Sequence, residues 1–88
     1  MTEEALWLDG NALAGLLVEV FGAEMTTTPR DCQSCGNRNV VGAHRAYAGA
    51  GTVLRCPVCG DVALRIATLP DRHVVEVRGA WRLEVSRD

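Results

Sequence analysis

Leu13, Leu16, Leu17, Val20 and Phe21 recur at intervals of three and four residues, the period that puts all five on one face of a helix. The stretch from Gly10 to Phe21 is therefore predicted to be helical. Asp9 stands where an N-cap is wanted, and its charge suits the positive end of the helix dipole. Leu8 before it and Leu13 four places in occupy the two positions of a hydrophobic staple. Gly22 supplies a C-terminal stop. The remaining faces are unusual, because only Asn11 and Glu19 are polar and Ala12, Ala14, Gly15 and Val18 fill the rest. A helix apolar nearly all round is usually buried on more than one side. One face is enough to dock it on a sheet, so Ala14, Gly15 and Val18 are candidates for contact with a second chain, either another copy or an unknown protein partner.

Ala23 to Asp31, with three threonines before Pro29, reads as a polar connector. Beyond it the period falls to two. Ala43 to Tyr47 alternates weakly, Ala48 to Gly51 is a small-residue loop, and Thr52 to Arg55 completes a predicted hairpin that runs into Cys56. Val62, Leu64 and Ile66 alternate with Ala63, Arg65 and Ala67. The Leu69 to Arg72 stretch carries turn residues, and His73 to Arg78 returns as a partner strand. After Gly79, Trp81, Leu83 and Val85 alternate with Arg82 and Glu84, which suggests a last strand. The expected fold is small α+β: an N-terminal amphipathic helix with its connector over residues 1–29, then three to five antiparallel strands over residues 30–88.

Eighty-eight residues bury too little surface to be comfortably stable on a hydrophobic core alone, and a bound metal is a common remedy. The candidate ligands are Cys32, Cys35, Cys56 and Cys59, two pairs with two residues inside each pair and twenty between them. Each pair can wrap one turn so that its sulfurs converge, and two such turns give the tetrahedron of thiolates that Zn²⁺ prefers. A glycine follows each pair, Gly36 and Gly60, at a position that often needs positive φ. One Zn²⁺ per chain is the expected cofactor, and iron is the alternative, since four thiolates suit it in geometry as well. Two disulfides would be the other use of four cysteines. The chain opens with no visible signal peptide, so reduced thiols and a cytoplasmic location are expected instead. The longest apolar run is too short to span a bilayer as a helix.

The double knuckle, Cys32-Gln33-Ser34-Cys35-Gly36 with Cys56-Pro57-Val58-Cys59-Gly60, resembles the zinc ribbon superfamily from about Arg30 to Val77. That resemblance implies a structural metal and a ribbon of antiparallel hairpins, while the superfamily's roles range from transcription to the ribosome. The second knuckle alone also resembles the iron-binding turn of rubredoxins, although the acidic surroundings and packed aromatics of those electron carriers are missing. Taken whole, with Leu8-Asp9-Gly10-Asn11-Ala12 leading into the helix and then the knuckles, the chain is similar to a family of small uncharacterised actinobacterial proteins.

Charge narrows the function. Residues 1–27 carry five acidic groups and no basic one, whereas residues 28–88 carry nine arginines against six acids. Four thiolates on one dication would take two positive charges from that second half, leaving no broad basic footprint. Arg38, Arg45, Arg55 and Arg65 flank the knuckles as a candidate stripe for nucleic acid. The plainer reading is that they offset the thiolate charge and solvate the sheet. His44 and His73 are expected to be surface strand residues, because four cysteines already complete a tetrahedron. No nucleophile–base constellation or phosphate-binding glycine loop is present, so an enzyme is not expected. The sequence points to a non-enzymatic binding module with a structural Cys₄ zinc site. Protein contact through the apolar helix is favoured over nucleic-acid binding through the arginines, and an iron electron carrier comes last.

Overall fold

The computed structural model describes residues 7–87, so the acidic Glu3, Glu4 and Asp88 of the charge balance lie outside the described residues. The fold is small α+β, with one short helix and mostly antiparallel strands. Five strands, β1 (Trp7–Asp9), β4 (Arg45–Ala48), β5 (Thr52–Arg55), β6 (Val62–Leu69) and β7 (Arg72–Val77), form one sheet in the order β1-β4-β5-β6-β7. A smaller sheet is built from β2 (Pro29–Asp31), β3 (Arg38–Val40) and β8 (Ala80–Trp81), with β2 in the middle. Among the described residues, no helix is long and apolar enough to cross a membrane.

The helical stretch lies where the period places it, but in two parts. A 3-10 turn, Gly10–Leu13, leads into α1 (Ala14–Phe21). The side chain of Asp9 makes no capping hydrogen bond; Asp9 is the last residue of β1, and the Gly10 N–H after it goes to the His44 carbonyl at 2.7 Å. Leu8 is 53% exposed, which removes the staple. Gly22 ends the helix as expected, at φ 75° with its N–H on the Val18 carbonyl. Gly10 itself is needed for close approach. A Cβ there would run into the Val41 carbonyl and the Gly42 backbone, on which the 3-10 turn sits.

Strand alternation decides which side of the large sheet is core. Ala46, Leu54, Leu64 and Ile66 point inward and are buried with Leu17, Met25, Val41 and Ala63. Leu13, Leu16, Val20 and Phe21 pack on the same core from α1, and Val75 and Trp81 close it from the strands. The predicted face of the helix is thus the docked face, although only Leu17 is fully buried. The opposite side of α1 carries Gly15 and Val18 with Glu19 as its one charge, so the helix is less clearly amphipathic than expected. No element covers the other side of the large sheet among the described residues.

Two parts of the sequence reading are corrected here. The connector ends in a strand: β2 begins at Pro29, and Met25, Thr26, Thr28 and Arg30 are buried. The last strand is shorter than its alternation suggests. Only Ala80 and Trp81 pair, with Asp31 and Arg30, and Leu83 and Val85 are exposed.

Candidate metal centre

Each knuckle joins two antiparallel strands, β2 to β3 and β5 to β6, and the two turns share one backbone pattern. In the first, the Gly36 N–H donates to the Cys32 carbonyl and the Cys32 N–H to Asn37, both at 3.0 Å. In the second, the Gly60 N–H donates to Cys56 at 3.0 Å and the Cys56 N–H to Asp61 at 2.8 Å. Gly36 and Gly60 have φ of 74° and 82°, the left-handed conformation in which a Cβ is strained. That turn rotates backbone N–H groups toward sulfur: Ser34 donates to the Cys32 Sγ and Val58 to the Cys56 Sγ, each at 3.4 Å.

The four Sγ atoms lie within 4.8 Å of one another, with Cys32 to Cys59 at 3.6 Å and Cys35 to Cys56 at 3.8 Å. A tetrahedron with metal–sulfur bonds of about 2.3 Å has edges of about 3.8 Å, so the donor set fits one thiolate-binding ion. The thiols are unequal on their own. The Cys35 backbone N–H, against the cost of burial and with help from Ser34, brings Cys32 down to about 6. The Asp61 N–H pulls Cys59 down too, but desolvation and the three neighbouring sulfurs outweigh it and push Cys59 up to about 11. Four thiolates this close require a cation to be ionised together. All four cysteines are free of disulfides, with Cys32 and Cys56 buried and Cys35 and Cys59 exposed.

A second set of contacts braces the two knuckles independently of any ion. Gln33 Nε2 donates to Asp61 Oδ2 at 2.5 Å and to the Val62 carbonyl at 3.3 Å, and the Ser34 hydroxyl also donates to Asp61. That hydroxyl, followed by the Val62 N–H, holds the Asp61 carboxyl below its ordinary range. Behind Gln33 sits Arg30, 1% exposed. Its guanidinium donates to Gln33 Oε1 at 2.7 Å, the Arg78 carbonyl at 3.0 Å and His44 Nε2 at 3.1 Å. Arginine only donates, so His44 Nε2 accepts, and the ring proton sits on Nδ1, 2.9 Å from the Val40 carbonyl. His44 is therefore neutral and buried, not a surface strand residue. Desolvation, opposed by the Val40 carbonyl and aided by the Arg30 charge, lowers its pKa. Sequence reasoning missed this pair, since an inward arginine on a three-residue strand leaves no periodic trace. His73 lies apart, half-buried on β7 and paired with Glu19 of α1 at 2.8 Å.

The other candidate residues divide between surfaces. Gly15 and Val18 are exposed on α1 and Ala14 is half-buried. Arg38 does not join the other arginines: it lies in the smaller sheet, ion-paired with Asp31 at 2.6 Å. Arg45, Arg55 and Arg65 do come together. Arg45 pairs directly with Arg55 across β4 and β5, and Arg65 lies beside Val53, so all three project from the uncovered side of the large sheet. The alternation of β7 adds Arg72 to that side and Arg78 just beyond its end, both missed from the sequence. Trp7 was missed as well; it is 36% exposed and stands directly opposite Tyr47. The Arg45 guanidinium lies 5.1 Å from the Trp7 ring centre, and that of Arg55 lies 5.8 Å from Tyr47. Asp9 and Glu76 are the acids of this face, the latter 3.8 Å from Arg65.

A family model described as a family of unknown function (DUF6510) matches residues 2–88. No curated protein and no solved structure matches the chain.

Proposed function

The chain belongs to that family of unknown function, and from its own residues we propose that it is a cytoplasmic, non-enzymatic zinc ribbon that presents the open face of its large sheet to nucleic acid. The zinc is structural. A closed set of four thiolates leaves no position for water or substrate, and the free thiols accord with a reducing compartment.

The observation that carries the reading is the Arg45–Arg55 pair. Like charges directly opposite on a sheet are destabilising, and among the described residues neither arginine forms an ion pair, although Asp9 stands opposite Arg45 on β1 and the Arg55 guanidinium donates to the Gly60 carbonyl at 2.9 Å. Their cation–π contacts with Trp7 and Tyr47 offset this by only about 0.5–1 kcal/mol each at exposed sites. An anion bridging the two guanidiniums would turn the repulsion into a binding contribution. The net charge of −2 is no obstacle locally. Of the five arginines on the open face or its edge, Arg65, Arg72 and Arg78 are ion-paired with Glu76, Asp71 and Asp61, which leaves Arg45 and Arg55 as the face's cations without an ion pair among the described residues. Titrating the zinc-loaded protein with nucleic acid at several salt concentrations tests the reading.

A second reading has its own support. Gly15 and Val18 leave an uncharged exposed strip on α1, with Val18 at 44% exposure, and a protein partner or a second copy would cover it. The open sheet face takes precedence because its residues combine charge with aromatic rings and set two arginines directly opposite each other.

A further inference from the structure

Resting on that reading, we propose that the ligand is a single strand, with neighbouring bases stacked on Trp7 and Tyr47 and the backbone phosphates held by Arg45 and Arg55. Trp7 and Tyr47 are direct cross-strand partners, so their rings rise side by side from strands about 4.8 Å apart. Arg45 and Arg55 form the next pair along and lean over those rings. An exposed guanidinium–ring contact is weaker than stacking of a base on the same ring. Arg45 can therefore exchange its ring for a phosphate while a base takes the ring face, and Arg55, whose Nη1 donates to the Gly60 carbonyl at 2.9 Å, can offer a phosphate its remaining N–H groups.

The shape of the surface favours a strand over a duplex. The only α-helix among the described residues packs on the core side, so no helix projects from the open face to enter a major groove. Bases inside a duplex present edges, which a ring standing on a sheet cannot stack upon. The open face continues past the rings into a shallow depression of about 290 Å³ lined by Val53, Arg65, Ala67, Val74 and Glu76. It is mostly apolar with a charged rim, a setting for a further base or sugar.

The test uses full-length, zinc-loaded protein and two labelled probes of about 15 nucleotides, a thymidine single strand and a mixed-sequence duplex. Anisotropy should show the single strand binding at least tenfold more tightly than the duplex. Trp7→Ala and Tyr47→Ala should each weaken single-strand binding about tenfold with the salt dependence unchanged, and Trp7→Phe should restore most of the loss. In a Trp81→Phe background Trp7 is the sole tryptophan, and the single strand should quench its emission. Equal affinity for both probes, with Trp7→Ala at full strength and no quenching, overturns the single-strand inference but leaves the nucleic-acid reading standing. Binding of neither probe removes both.

Discussion

Arg30 donates a hydrogen bond to Nε2 of His44 across 3.1 Å, and both side chains are only 1% exposed. A buried arginine without a carboxylate partner needs hydrogen-bond acceptors around it, and here each of its three nitrogens has one: a neutral ring, a knuckle glutamine and the Arg78 carbonyl. This puts a buried cation behind Gln33 of the first knuckle and joins that knuckle to the residue just after β7. Replacing it should be costly. Arg30→Leu leaves those acceptors unsatisfied at about 1–3 kcal/mol each where they are buried, which a urea midpoint will register. An unchanged midpoint contradicts the network.

The same pair makes stability depend on pH. His44 has a folded pKa below its ordinary 6.5 because it is buried and then because Arg30 is close, so the unfolded chain binds the proton more readily. The stability it contributes is present above 6.5 and is lost as the pH falls from there toward the lower folded value. At fixed zinc, the wild type should weaken as the pH falls below 6.5, and His44→Gln should show less of that slope. Equal slopes in the two proteins count against a buried neutral histidine.

Metal loss should be more severe still. Zinc binding of roughly 10–16 kcal/mol in small finger peptides exceeds what a core of this size supplies. One zinc per chain is expected by elemental analysis, and serine at any of Cys32, Cys35, Cys56 or Cys59 should unfold the knuckle region, read by circular dichroism. Iron with visible thiolate-to-metal absorption would replace zinc and favour electron transfer. Two disulfides without metal would remove both.

Leu17 is the only fully buried residue of α1, at 0% exposure. Leu17→Ala should therefore cost about 2–5 kcal/mol. A loss below about 1 kcal/mol would mean that the helix is not docked on the sheet.

The docked face of that helix was legible because Leu13 to Phe21 keep their period through a 3-10 turn as well as an α-helix. The metal centre was legible because cysteine spacing is local and its glycines mark the turns. Likewise β5, β6 and β7 follow from alternation long enough to read. What escaped was short or inverted. β2 and β3 have three residues each, β2 opens with a proline, and its inward residue is Arg30. β1 hides inside the apolar approach to the helix, so Trp7 could not be matched with Tyr47. The arginine face needed strand register, since nothing in the chain order sets Arg45 against Arg55 or separates Arg38 from them.

The helix surface has its own test. No heavy atom outside its neighbourhood lies within 4 Å of a Cβ built at Gly15, so Gly15→Arg should fold with its zinc site intact. If α1 docks a partner or a second copy, this variant loses association in ultracentrifugation or pull-down. Unchanged association, or a monomer that captures nothing, ends the protein-contact reading through α1.

The most direct measurement of the central claim is the salt dependence of single-strand affinity in the wild type and in Arg45→Gln/Arg55→Gln, at matched zinc content. Each phosphate contact contributes about −0.7 to the slope of log K against log salt for a single strand. The account predicts a measurable negative slope in the wild type, reduced by about 1.4 in the double variant, with weaker binding throughout. A wild type that binds no nucleic acid at low salt, or a double variant with the same slope and affinity, would contradict it.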